Sequence, residues 1–221
     1  MLHTAAVDRL LELTAPEGDD VLDDMEAQAE REGFPTVGRE VGAFLRLCAR
    51  LTGAESAFEL GSGFGYSAYW VAEALPANGR VVLTEFDEGE LDQARTYFER
   101  GGYADRAVFE AGDALEIVER YDGPFDLVLV DHQNEKYVEG FEAVREKVAP
   151  GGVVVADNVL HSTGQYDPED FLAELEGEEP GRGGQYTGAI ADYYRHVSAA
   201  PEFETTTMPV GEGLFVSVRV E

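Results

Sequence analysis

Two stretches of the sequence end on side chains that could share a cation. Phe125-Asp126-Leu127-Val128-Leu129-Val130 runs into Asp131, and Val153-Val154-Val155-Ala156 runs into Asp157-Asn158. Both read as buried strands with oxygen donors at their ends. If the strands are neighbours, they lie about 4.8 Å apart, so Asp131, Asp157 and Asn158 converge. An all-oxygen set suits a hard divalent ion: Mg²⁺ first, then Ca²⁺ or Mn²⁺, and not zinc. Without a cation, the two carboxylates repel and one takes up a proton more readily. The plain alternative is a pair of ordinary loop caps.

A second group of residues suits a nucleoside. The turn Glu59-Leu60-Gly61-Ser62-Gly63-Phe64-Gly65-Tyr66-Ser67 follows a short apolar run. Its glycines allow close approach of backbone to a ligand. A dinucleotide turn reads G-x-G-x-x-G, whereas here the third glycine position is Tyr66 and the pattern is G-x-G-x-G. This favours a nucleoside without a pyrophosphate. Glu85 lies twenty residues after Gly65, at the end of Val81–Glu85, where a carboxylate can accept from ribose hydroxyls. Gly112-Asp113-Ala114 follows the next apolar run. There Asp113 can accept from an exocyclic amine, cap a helix, or do both.

The elements that carry these residues alternate. Strand candidates are Ala57–Leu60, Val81–Glu85, Ala107–Glu110, Phe125–Asp131 and Val153–Asp157; helix candidates between them are Tyr66–Ala74, Glu88–Arg100, Asp113–Arg120 and Tyr137–Val148. Such βαβα alternation predicts an α/β fold with a parallel sheet covered on both faces. Residues 1–55 read as helices broken at Pro16-Glu17-Gly18 and Gly33-Phe34-Pro35. The stretch 161–186 reads as an acidic loop with a helix at Pro168–Glu176. Ala189–Ala199 reads as a last helix, and Phe203–Met208 and Leu214–Val220 as an antiparallel pair closing the sheet. One domain over 1–221 is expected, with 1–55 as a helical cap.

Charge narrows the partners. The chain has 221 residues, of which 45 are acidic and 16 basic, for a formal net charge of −29. Only Lys136 and Lys147 are lysines. This balance resembles an adaptation to a salt-rich cytoplasm, since at 1 M salt charges are screened beyond about 3 Å. No basic stripe exists to meet nucleic acid phosphates, and an anionic membrane surface is equally disfavoured. No run of 18 apolar residues and no signal segment is visible. A single cysteine, Cys48, agrees with a reducing, cytoplasmic setting.

Taken together, F-E-L-G-S-G-F-G-Y-S, T-E-F-D, G-D-A, V-L-V-D-H and V-V-A-D-N-V-L resemble the cation-dependent O-methyltransferases of the catechol and caffeoyl-coenzyme A type. The likeness runs from about Pro35 to His161, with an echo at Gly211-Glu212-Gly213-Leu214. It implies a Rossmann-like class I methyltransferase fold: a mostly parallel seven-stranded sheet, an antiparallel C-terminal pair and N-terminal helices. It implies S-adenosylmethionine (SAM) as cofactor. Val37 then lies beside the methionine moiety, while Glu59, Gly61, Ser62 and Gly63 form the cofactor loop. Ser67 bonds the methionine carboxylate, Glu85 the ribose, and Asp113 and Ala114 border the adenine. Asp131, Asp157 and Asn158 match the metal ligands, and Asp131 also belongs with the cofactor contacts.

One position departs from the family. A lysine usually stands three residues after the first metal aspartate and deprotonates the acceptor. Here Asn134 occupies that slot, and Lys136 lies two residues further. The base is then Lys136, or His132, or the cation alone lowers the hydroxyl pKa. His161 is a candidate for lining the acceptor site. The expected acceptor is a small, catechol-like hydroxyl compound, and a homodimer is compatible with the sequence. The alternative is a non-catalytic or metal-free SAM-binding protein, which the missing lysine would suit.

Overall fold

The computed structural model describes residues 5–160, 168–178 and 186–221. Three helices lead: α1 (Ala5–Thr14), α2 (Asp20–Glu32) and α3 (Gly38–Thr52). Asp19 starts α2 by accepting from the Val21 and Leu22 amides at 3.0 and 2.9 Å, which satisfies two donors that lack helical partners. The buried residues Val21, Leu22, Met25 and Ala29 of α2, and Val41, Leu45, Cys48 and Ala49 of α3, recur at helical spacing.

The alternating part follows: β1 (Ser56–Leu60), α4 (Tyr66–Ala74), β2 (Arg80–Glu85), α5 (Glu88–Gly101), β3 (Ala107–Ala111), α6 (Ala114–Val118), β4 (Phe125–Val130), α7 (Tyr137–Arg145) and β5 (Val148–Ala156). After it come α8 (Pro168–Glu176), α9 (Thr187–Ser198), β6 (Phe203–Met208) and β7 (Leu214–Arg219). The strands form one sheet in the order β3-β2-β1-β4-β5-β7-β6. Its members are parallel except β7, which inserts antiparallel between β5 and β6.

Each sheet face is covered. In β4 and β5, Leu127, Leu129, Val153 and Val155 pack toward the core shared with α2–α5, whereas Val128, Val130, Val154 and Ala156 pack toward α6–α9. This period of two is what a strand buried on both faces requires. The strand order reverses between β1 and β4, and in such sheets the crevice at the carboxyl ends of those strands receives ligands. Among the described residues, no helix is long and apolar enough to cross a membrane.

Several boundaries differ from the sequence reading. β5 starts at Val148, not Val153: Val148 pairs with Phe125 before the register shifts between Phe125 and Leu127. The bulge absorbs Pro150-Gly151-Gly152, which reads locally as a strand breaker. Consequently α7 stops at Arg145, and the Lys147 amide turns back to the Val144 carbonyl at 2.7 Å. α6 is shorter than Asp113–Arg120, because Asp113 stands outside it as the cap, accepting from the Leu115 amide at 2.8 Å.

Candidate active site

The carboxyl ends of β1, β2, β4 and β5 open onto a cavity of about 510 Å³. One end, where the sequence predicts a nucleoside, is built from the β1–α4 turn. Gly61 has φ +85°, and a Cβ there would lie 2.6 Å from the Asp131 carbonyl oxygen. Only glycine lets this turn press against the end of β4. Ser62, Gly63 and Ser67 line the cavity. Glu59 is buried beneath it, receives a short hydrogen bond from the Ser67 hydroxyl, and has its second oxygen buried without a partner. Burial pushes the Glu59 carboxyl up to about 8, against the pull of that hydrogen bond.

Glu85 is preorganised by backbone. Its Oε2 accepts from the Gly63 amide at 2.9 Å, and its Oε1 accepts from the amides of Phe86 and Asp87 at 2.7 and 3.1 Å. A carboxylate accepts about four hydrogen bonds. Three are used, so acceptor capacity remains on the cavity side. Asp113 and Ala114 line the same end. Burial raises the Asp113 pKa, but the Leu115 amide and the Lys136 ammonium outweigh it and hold it below its usual value.

At the other end, the tips of β4 and β5 meet. The Asp131 amide donates to the Leu60 carbonyl at 3.0 Å, and the Asp157 amide to the Val130 carbonyl at 3.2 Å, so both aspartates continue their ladders. Asn158 has φ +59°, an uncommon conformation for a residue other than glycine. From there its side-chain amide donates to Asp131 Oδ1 at 2.9 Å, while its backbone amide donates to Asp157 Oδ1 at 2.7 Å. Burial, followed by the charges of Asp157, Glu59 and Glu212, holds Asp131 well above the usual carboxylate range. Burial does the same for Asp157. Two carboxylates kept from ionising, beside an amide, form a donor set that fits a hard divalent cation.

The three catalytic candidates sit in different places. Lys136 is not among the cavity-lining residues; its ammonium lies 3.4 Å from Asp113 Oδ2, away from the tips of β4 and β5 that carry Asp131 and Asp157. His132 lines the cavity and stacks on Tyr137 with ring centroids 5.5 Å apart. Its Nε2 faces the Lys136 carbonyl at 3.1 Å, and burial pushes the imidazole down to about 4. A group that releases its proton so readily is a weak base at neutral pH. Asn134 also lines the cavity, and its amide nitrogen is buried without a partner. His161 lies outside the described residues.

Val37 lines the cavity together with Phe34, Pro35 and Thr36, which sequence reasoning did not select. This α2–α3 linker is pinned in place: Phe34 meets Phe64 edge-on at 5.0 Å. Glu26 ties the helices above the turn, accepting from the Tyr66 hydroxyl and from Arg39, each at 2.6 Å. Phe86, Tyr186 and Glu212 are further lining residues. Of these, only Glu212 had a signal, the Gly-Glu-Gly turn.

A 3-2-1-4-5-7-6 sheet with its cavity at the β1/β4 switch point defines the class I methyltransferase fold. The profile of the O-methyltransferase family matches residues 19–220. The chain belongs to that family. It is 37% identical over 134 residues to a catechol O-methyltransferase of Niastella koreensis, a match covering 58% of this chain and 61% of that relative. It is 32% identical over 186 residues to a catechol O-methyltransferase of Mycobacterium tuberculosis, covering 79% and 84% of the two chains. Its fold is similar to that of an O-methyltransferase from Bacillus cereus solved in complex with SAH, with a TM-score of 0.81, 26% identity, and coverage of 99% and 100%.

Proposed function

We propose that this chain is a SAM-dependent O-methyltransferase acting on one hydroxyl of a small, catechol-like acceptor held beside a divalent cation. The observation that carries the reading is the single cavity joining Glu85 and Asp113 at one end to Asp131, Asp157 and Asn158 at the other. The Bacillus relative solved with SAH supports the choice of methyl donor. When bound, SAM supplies an electrophilic sulfonium methyl, and the cation supplies positive charge that favours the oxyanion of a chelated diol.

The chain's own residues bind and orient. Glu85 accepts from a ribose hydroxyl with the capacity its backbone donors leave open. Ala114 and Phe86 offer apolar surface to the base, and Asp113 borders it. Ser62, Ser67 and Val37 surround the methionine moiety, with Gly61 and Gly63 letting the backbone approach. Asp131, Asp157 and Asn158 hold the cation. The orphaned amide of Asn134 donates to an acceptor oxygen, and it cannot take a proton in the way a lysine would. Fixing the attacking oxygen in line with the methyl group is a proximity effect, worth up to about 7–11 kcal/mol in well-oriented systems.

Lys136 held by Asp113 and Asn134 in the lysine slot favour a second reading, a SAM-binding protein without turnover. One experiment separates the two: methyl transfer from labelled SAM to catechol, with Mg²⁺ and with chelator, alongside calorimetric SAM binding. The proposal expects transfer that the chelator abolishes. Tight SAM binding with no transfer to any vicinal diol would favour the second reading.

A further inference from the structure

Lys136 lies outside the slot in which the family carries its lysine, and its surroundings give it other work. It closes a single helical turn, Asn134–Lys136, in which its amide donates to the Gln133 carbonyl at 2.8 Å. Its carbonyl faces His132 Nε2 at 3.1 Å, so the backbone of Lys136 also steadies an imidazole that lines the cavity. The next residue, Tyr137, is buried, and its hydroxyl donates to the Asp157 carbonyl at 3.1 Å. Residues 131–137 are therefore anchored at both ends without help from the lysine side chain.

That side chain reaches across to another rim of the cavity. Its ammonium lies 3.4 Å from Asp113 Oδ2, while Oδ1 of the same carboxylate caps α6 through the Leu115 amide at 2.8 Å. Gly112, Asp113 and Ala114 all line the cavity, and the Gly112 amide donates to the Glu85 carbonyl at 2.9 Å. This rim is the less firmly built of the two. β3 is an edge strand with no buried residue, and α6 is only five residues long. Elements with few buried apolar contacts open more easily. The ion pair thus ties a soft rim to a rigid one, and the soft rim is the one that continues from Glu85.

We infer that Lys136 is a positioning residue for the nucleoside of SAM: through Asp113 it holds the 112–114 rim against the adenine, and it is not the base of the reaction. This rests on the reading of the cavity as a SAM site and does not need turnover. The side chains of the pair are 43% and 29% exposed, so its effect is modest and reaches the cofactor through the rim.

The test is calorimetric binding of SAH to the full chain, followed by methyl transfer to catechol with Mg²⁺. Lys136→Met should weaken SAH by about two- to fivefold, the range of a half-exposed ion pair, and Lys136→Arg should restore the affinity. Added to Asp113→Asn, Lys136→Met should cost little more, because the pair is already broken. In turnover, Lys136→Met should raise the KM for SAM rather than lower kcat. Lys136→Arg should work like wild type, although a guanidinium stays protonated and cannot serve as a base at neutral pH. Unchanged SAH affinity in Lys136→Met, or an equal loss with and without Asp113→Asn, overturns the proposal. So does a kcat lost in both Lys136 variants with SAH affinity intact, which would make Lys136 the base. A wild type that binds SAH but methylates nothing defeats the transfer reading alone, and calorimetry still decides the role of Lys136. A wild type that binds no SAH defeats both.

Discussion

Asn158 donates its side-chain amide to Asp131 Oδ1 at 2.9 Å, tying the tip of β5 to the tip of β4. Beside two crowded carboxylates, that donor does in small measure what a cation would do fully. Two buried carboxylates side by side are costly to the protein alone, and a bound cation would offset that cost.

Asp157→Asn should therefore raise the thermal stability of the chelator-treated protein. Burial holds Asp157 up to about 7, so the wild type loses stability as pH rises from about 4 to 7, by up to about 1.4 kcal/mol per pH unit, a loss the variant does not share. The same variant should lose the rise in Tm that Mg²⁺ gives the wild type, because a ligand stabilises only the state that binds it. Thermal unfolding with EDTA and with Mg²⁺ checks both. A less stable variant that keeps its Mg²⁺ response would contradict the assignment.

Glu85→Ala should weaken SAM binding by about 1–3 kcal/mol, the scale of leaving a buried polar partner unsatisfied. The Gly63, Phe86 and Asp87 amides lose their acceptor together. Some of the loss therefore comes from a loosened β1–α4 turn. Calorimetry with SAH measures it, and an unaltered affinity would place the nucleoside elsewhere.

The sequence carried most of the sheet because its strands are short apolar runs ending on distinctive residues. Tyr66–Ala74 and Phe203–Met208 form over the ranges that local periodicity predicts. The start of β5 was hidden, since Pro150-Gly151-Gly152 resembles a break and only pairing with Phe125 makes it strand. The strand-tip trio was legible because adjacent parallel strands bring their ends together whatever the loops do. Phe34 and Tyr186 were not, because they enter the cavity through tertiary packing. The contact of Lys136 with Asp113 was equally hidden, since it depends on how the Asn134–Lys136 turn folds.

Glu59 predicts a pH dependence. Its folded value of about 8 lies above the ordinary 4.5, chiefly through burial. The folded state thus keeps a proton that the unfolded chain has already released. Its contribution to stability is greatest below about pH 4.5, declines as pH rises toward 8, and then levels off. The limiting slope is about 1.4 kcal/mol per pH unit. Urea unfolding of wild type and Glu59→Gln from pH 5 to 9 isolates this part. The variant should gain on wild type as pH rises, and a difference that stays flat would show that Glu59 ionises normally.

The net charge of −29 predicts a salt requirement. Screening extends to about 3 Å at 1 M salt but about 30 Å at 0.01 M, so dilution exposes surface carboxylates to one another. Tm should climb steadily with KCl. A Tm indifferent to KCl would leave the acidic surface without a stabilising role for salt.

The central claim is that a cation held by Asp131, Asp157 and Asn158 sits beside the methyl group bound at the glycine turn. Paramagnetic relaxation of methyl-labelled SAM by Mn²⁺, without acceptor, tests that distance most directly. The account predicts strong relaxation of the methyl resonance that disappears in Asp157→Ala while SAM stays bound. Saturating Mn²⁺ and SAM with no relaxation of the methyl group in the wild type would contradict it.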